Sequence, residues 1–185
     1  MQYKIIRSDR KTMALQIKDG QLIVRAPRRT SVAVIEKFVR DNYAWVEKQL
    51  SAAASAPKLP PLSNEQLKEL TAKAAAIFPE RVKYYADLLG VSYDKITVRH
   101  QRTRWGSCSS SGSLNLNCLL VLTPPQVLDS VIAHELCHRK HMNHSPAFYA
   151  ELTRVFPQYQ QCRNWLKQNG GALMSRLPKK ETENN

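Results

Sequence analysis

The chain has 185 residues, of which 43% are hydrophobic and 23% charged. This composition is that of an ordinary globular protein and excludes a fibrous repeat or a wholly disordered chain. No apolar stretch approaches the ~20 residues that cross a bilayer, and no signal-peptide pattern is present, so we expect a cytoplasmic protein without membrane contact. The 28 Lys and Arg exceed the 15 Asp and Glu, for a formal net charge of +13. Such a charge either aids solubility alone or attracts a polyanion such as a nucleotide or nucleic acid.

Residues 1–56 are predicted to form an N-terminal part of strands and a helix. Segments 3–6, 13–17 and 22–24 are predicted strands, and Asp19-Gly20 between two alternating segments predicts a tight hairpin that continues a β-meander. Apolar residues at helical spacing predict one amphipathic helix over residues 31–51. Residues 51–62 contain three prolines and are predicted to be a linker.

Residues 57–175 are predicted to form a second part, followed by a polar tail over 176–185. Ser63 and Gln66 have the spacing of a capping box, which predicts a helix that reaches about Leu89, can break at Pro79 and stops at Gly90. Half-buried strands are expected over 95–100 and 113–118, with a polar turn at 105–112 between them.

The sequence then predicts the N-terminus of another helix, with Thr123 as the cap and Pro124 at the first helical position. Two further helices are predicted over 145–156 and 158–168. The four cysteines form no CxxC pair and are expected to be reduced thiols; they are Cys108, Cys118, Cys137 and Cys162.

The helix that begins near Pro124 carries the pattern HExxH at residues 134–138. His134 and His138 stand one turn apart on one face, so both imidazoles can bind a single metal ion. Glu135 projects beside that ion, where it can act as general base toward a zinc-bound water. A third ligand could be His141 or His144. The alternative reading is a histidine-rich helix end that only interacts with the helix dipole.

Three segments together resemble the YgjP-like metallopeptidase family, a relative of the SprT-like, Wss1-like and minigluzincin zinc proteases. They are RWGSC at 104–108, HELCH at 134–138 and NHSPAF at 143–148. The resemblance implies an α+β fold, with an N-terminal hairpin or meander and helix before a small zincin-like core that has a short mixed sheet and the HExxH helix. It also implies Zn²⁺ as the cofactor, His134, His138 and His144 as metal ligands, and Glu135 as the catalytic residue.

Several neighbouring residues have a structural and a functional interpretation. Glu151 could be a carboxylate ligand but is expected to be a helix-surface residue, and Tyr149 could stabilise an oxyanion but is expected to pack. The metzincin spacing of the three histidines is not adopted, because His141 stands where that family has glycine. Segment 104–108 either fills space and turns the chain or forms an edge that aligns an extended substrate.

The leading functional hypothesis is a zinc metallopeptidase with a peptide or protein substrate. Two alternative functions would account for the high net positive charge. One is a metal-dependent nucleotide phosphohydrolase, because the same zinc-water chemistry can attack phosphorus. The other is a nucleic-acid-associated module or a DNA–protein crosslink protease, although the sequence lacks a zinc finger or an RNP motif.

Overall fold

The computed structural model describes residues 2–18, 20–55 and 59–178, and the chain divides into two compact units, Met1–Pro57 and Lys58–Asn185. Both units mix helices with a small sheet, which gives an α+β fold. Part of the predicted linker, 56–58, and most of the predicted tail, 179–185, lie outside the described residues. None of the described helices combines the length and the apolar character that crossing a membrane requires.

The sheet of the first unit contains β1 (Tyr3–Ser8), β2 (Ala14–Lys18) and β3 (Gln21–Pro27). Strands β2 and β3 form the predicted antiparallel hairpin, and Gly20 in its turn has φ of 76°. The predicted meander is wrong, because β3 lies in the centre and β1 pairs with it in parallel. The central position gives β3, the most apolar strand, a neighbour on each side, and its residues 22–24 are all buried.

Two helices, α1 (Val32–Asp41) and α2 (Tyr43–Ser55), replace the single helix predicted over 31–51. The break is at Asn42, whose side-chain amide donates to the Phe38 carbonyl while its backbone N–H bonds to Val39. Asparagine competes for helical hydrogen bonds in this way more readily than most residues. The core of this unit packs the two helices on the sheet through Ile35 and Val46, among others.

The second unit begins with the long helix α3 (Asn64–Leu89). Both hydrogen bonds of the predicted capping box are present, from the Gln66 backbone N–H to the Ser63 hydroxyl and from the Ser63 N–H to the Gln66 side chain. The helix continues through Pro79 without a break and ends at Gly90, which adopts the left-handed conformation with φ of 65°. Glycine takes this conformation without steric cost.

The second sheet contains β4 (Ile96–Arg99), β5 (Gly106–Cys108) and β6 (Leu114–Asn117). Its order is β4-β6-β5, with β4 parallel and β5 antiparallel to β6, so the sheet is mixed. The turn predicted over 105–112 therefore contains a strand, β5, whose three small residues carry no hydrophobic alternation. A 3₁₀ helix over Cys118–Leu122 leads from β6 to the next helix.

Helix α4 (Pro125–Cys137) crosses the core of the second unit. The predicted cap at Thr123 is wrong, because its hydroxyl donates to the Leu120 carbonyl and makes no cap bond. The helix ends at Cys137, so His138 is the C-cap, and a turn over residues 138–140 follows. An ion pair joins Asp129 of α4 to Arg81 of α3.

Helices α5 (Pro146–Val155) and α6 (Tyr159–Ser175) complete the described fold. Ser145 caps α5 by accepting the Phe148 backbone N–H, as its sequence predicts. Helix α6 runs past the predicted end at residue 168 and through Gly170. A Cβ at Gly170 would lie 3.1 Å from Cζ2 of Trp105, so this glycine permits close packing and does not end the helix.

Candidate metal centre

Helix α4 and the turn after it bring three histidines together. His134 lies on α4, and His138 is its C-cap. The chain then reverses over residues 139–145, so that His144 faces both of them. The potential ligand atoms of the three lie within 4.8 Å of one another, and Nε2 of His134 is 3.1 Å from Nε2 of His144. Among the described residues, this is the one group of three or more His, Cys, Asp or Glu with the geometry of a metal site.

The ring of Phe148, on the first turn of α5, supports all three imidazoles. Its centroid lies 4.9 Å from that of His134, 4.8 Å from that of His138 and 4.9 Å from that of His144. Phe148 is fully buried, so it restricts the imidazoles from one side. The packing limits the rotamers that each histidine can adopt.

Hydrogen bonds at the other ring nitrogen orient two of the histidines. Nδ1 of His138 lies 3.1 Å from the backbone carbonyl oxygen of His141, and Nδ1 of His134 lies 3.1 Å from the Tyr159 hydroxyl. In the tautomers with the proton on Nδ1, both nitrogens donate to these oxygens and Nε2 is left as the ligand atom. His141 thus contributes its carbonyl oxygen, and its ring is not part of the cluster.

Burial favours the neutral form of two of these histidines. Burial, together with the nearby His138 and His144, lowers the pKa of His134 to about 3. Burial also lowers the pKa of His138. Neutral imidazoles are the form that binds a metal. The three histidines, with potential ligand atoms within 4.8 Å of one another, therefore fit a divalent ion, with room for a further, non-protein ligand.

Glu135 is buried beside the three histidines, with only 7% of its surface exposed. Burial raises the pKa of its carboxyl to about 7, although Arg104 and a hydrogen bond from the Cys108 backbone N–H act in the opposite direction. Strand β5 passes directly against this side chain: a Cβ at Gly106 would lie 2.7 Å from Cγ and Oε1 of Glu135. The glycine of β5 is thus what allows the carboxylate to occupy this position.

Comparison with known sequences identifies the chain. Residues 11–70 and 56–169 match the sequence model described as YgjP-like, metallopeptidase domain. The chain belongs to the YgjP-like metallopeptidase family. Membership in this family implies a divalent metal, which agrees with the three-histidine cluster. No curated protein matches the sequence.

Two solved structures are similar to part of this YgjP-like chain, and both are described as metallopeptidase zymogens. The protein abylysin of Pyrococcus abyssi is 20% identical, with a TM-score of 0.45, over 49% of this chain and 92% of its own. The protein jannalysin of Methanocaldococcus jannaschii is 24% identical, with a TM-score of 0.44, over 49% of this chain and 93% of its own.

Two cavities adjoin the histidines of the YgjP-like chain. One, of about 330 Å³, lies over the three histidines and is lined by β5 and Met142. The other, of about 220 Å³, reaches from His134 and Glu135 toward α6. Both are lined by Gly106 of β5, so this strand borders the whole cleft. Within segment 104–108, Trp105 packs against the core, as the structural interpretation expects, while alignment of a substrate by this segment stays a prediction.

Other residues considered from the sequence have structural roles. Glu151 forms ion pairs with Lys140 and Arg154, which lower its pKa to about 2, and it does not join the cluster. The ring of Tyr149 stacks 6.1 Å from that of His144. All four cysteines are free thiols.

The sequence analysis did not predict that three further residues would lie around the three histidines. They are Phe148, Tyr159 and Arg163. Phe148 belongs to the NHSPAF segment, so the family motif contained a signal for it. Tyr159 and Arg163 lie on the last helix, where no local pattern distinguishes them from ordinary packing or surface residues.

Proposed function

We propose that the protein is a zinc-dependent peptidase in which His134, His138 and His144 bind the ion and Glu135 is the general base. The observation that carries this proposal is the convergence of three histidines next to a buried carboxylate, all lining one open cleft. A histidine-rich helix end that only balances the helix dipole needs neither the convergence nor the buried acid.

His134, His138 and His144 would hold the zinc ion, which would supply Lewis acidity to polarise a scissile carbonyl and to lower the pKa of water toward ~7. Glu135 accepts the proton of the attacking water on its carboxylate and then delivers it to the leaving nitrogen. The raised pKa of Glu135 suits both steps, because the group can hold and release a proton near neutral pH. The Cys108 N–H and Gly106 keep the carboxylate in place.

Strand β5 is suited to align the substrate. It lies at the edge of its sheet and pairs with β6 along one side. The backbone groups on the other side border the cleft, where an extended peptide can add as a further strand. This arrangement favours a peptide over a compact nucleotide as the substrate of the site.

The experiment compares the zinc-loaded protein with its Glu135→Gln variant on a mixture of peptides, with cleavage products identified by mass spectrometry. We expect Glu135→Gln to keep its zinc and its fold and to lose about 10²–10⁴-fold in turnover, the usual contribution of acid–base assistance. Glu151→Gln is a matched control, because it removes a carboxylate that lies outside the cluster. Equal turnover of Glu135→Gln and the unmodified protein would refute the mechanism.

A parallel assay addresses the alternative chemistry. The same two proteins are incubated with nucleoside triphosphates, and released phosphate or pyrophosphate is measured. Release that depends on Glu135, without peptide cleavage, would replace the peptidase proposal by a nucleotide phosphohydrolase.

A further inference from the structure

The cavity of about 220 Å³ between α4, β5 and α6 has a composition that suggests what it binds. Its walls are largely apolar, formed by Trp105, Val131 and Leu166, and it opens at His134 and Glu135. A side chain that entered it would belong to a residue next to the reacting bond. A cavity of about 150 Å³ is enough to hold a benzene ring, so this one has room for one aromatic or large aliphatic side chain.

Two polar side chains that line this cavity already form hydrogen bonds, whereas Arg163 forms none with the described residues. The Ser130 hydroxyl donates to the Val127 carbonyl, and the Tyr159 hydroxyl bonds to His134. Arg163 lies on the same face of α6 as Tyr159, one turn further along. Its side chain is exposed, and it forms no ion pair or hydrogen bond with any other residue in the described part of the chain.

An unpaired guanidinium at the rim of an apolar pocket recognises a carboxylate, because its planar donors match the two carboxylate oxygens. We propose that this cavity, the Arg163 pocket, binds an apolar side chain of the peptide residue beside the scissile bond, and that Arg163 binds a carboxylate carried by that residue or its neighbour. The inference rests on the proposed peptidase function and adds a substrate class to it: peptides with a bulky apolar residue and an adjacent negative charge.

The carboxylate has two possible sources in a peptide. It can be the terminal α-carboxylate of the residue in the pocket, or the acidic side chain of the following residue. Three probes separate them: N-acetyl-Ala-Ala-Phe with a free carboxylate, the same peptide as its amide, and N-acetyl-Ala-Ala-Phe-Glu as its amide. The dissociation constants are measured by calorimetry on the zinc-loaded Glu135→Gln variant, which cannot consume the probes.

We expect at least one of the charged probes to bind about twofold to fivefold more tightly than the neutral amide, the range for an ion pair at an exposed site. Arg163→Gln should remove this preference and leave the affinity for the neutral amide and the zinc content unchanged. The matched control is Lys167→Gln, which removes an exposed charge one turn further along α6 and should keep the preference. Leu166→Trp should weaken all three probes by filling the pocket.

The possible outcomes distinguish a failure of the pocket assignment from a failure of the proposed peptidase function. A preference for the free carboxylate assigns Arg163 to the peptide terminus, and one for the Phe-Glu amide assigns it to an acidic side chain. Equal affinities for charged and neutral probes, or a preference that survives Arg163→Gln, overturn the pocket assignment even if the unmodified enzyme cleaves peptides. Arg163-dependent binding without cleavage of any peptide overturns the peptidase function and leaves only the assignment of Arg163 as a carboxylate-binding residue standing. If no probe binds and none is cleaved, both fail.

Discussion

The hydroxyl of Tyr159 lies 3.1 Å from Nδ1 of His134, the ring nitrogen that does not face the other histidines. The two rings are also stacked, with centroids 5.7 Å apart and planes inclined by 17°. If His134 held a metal through Nε2, its Nδ1–H would donate a hydrogen bond to the Tyr159 oxygen. We therefore predict that Tyr159 is a positioning residue for His134.

Tyr159→Phe should weaken zinc binding by about 10–100-fold, the usual cost of removing a hydrogen bond to a metal-bound histidine. The stacking contact and the apolar volume remain in this variant, so the fold should be unaffected. Competition with a chromogenic chelator gives the dissociation constant of zinc. Tyr149→Phe is the matched control, since the Tyr149 ring contacts His144 but its hydroxyl makes no hydrogen bond in the described part of the chain. Equal losses in both variants would rule out the positioning role.

If His144 and not His141 is the third ligand, the alanine variants of these two residues should differ in zinc content. The purified protein should contain close to one zinc per chain. His144→Ala should lose most of it on dialysis against a chelator, because two imidazoles leave the ion with too few protein ligands. His141→Ala should retain it, because residue 141 contributes only its backbone carbonyl. Elemental analysis distinguishes the variants, and the reverse result would exchange the two residues.

Gly106→Ala should reduce turnover while leaving zinc bound. The added Cβ would lie 2.7 Å from the Glu135 carboxylate, which must move away. A displacement of about 1 Å at a reacting group can cost about 10²-fold in rate. We expect the loss in kcat, with KM nearly unchanged. Gly171→Ala is the control, since a Cβ there meets no atom within 4 Å. A Gly106→Ala enzyme of normal kcat would contradict the role of β5 in placing Glu135.

Asp129→Asn should destabilise the unit that carries the metal centre. Arg81 and Asp129 join α3 to α4 at 2.5 Å, and their side chains are only 34% and 12% exposed. Removing the acid leaves a partly buried guanidinium unpaired, at a cost of about 2 kcal/mol. Urea denaturation measures the free energy of unfolding. Asp87→Asn, which breaks an ion pair with side chains 70% and 66% exposed, should change it by less than about 0.5 kcal/mol.

Local signals in the sequence were sufficient for features that depend on neighbouring residues. The capping box of Ser63 and Gln66, the end of α3 at Gly90 and the hairpin of β2 and β3 all follow from residues within one turn of each other. The i, i+4 spacing of the HExxH pattern likewise predicted that His134 and His138 share a face.

Features that depend on distant segments were not predictable in the same way. Strand β5 has three small residues, and its pairing with β6 replaces the hydrophobic alternation that normally reveals a strand. The parallel pairing of β1 with β3 is a choice of neighbour that no local pattern encodes. Tyr159 contacts His134, which lies 25 residues earlier in the sequence, only because α6 packs against α4.

Successive residues along one face of helix α6 make different contacts. Tyr159, Arg163, Leu166 and Gly170 follow one another at intervals of four, three and four residues, the repeat of a single helical stripe. The first contacts a histidine of the metal centre, the middle two line the cavity, and the last packs on Trp105. Under the proposed pocket assignment, substitutions at positions 163 and 166 should alter which peptides the cleft accepts, while Tyr159 and Gly170 keep their contacts with His134 and Trp105.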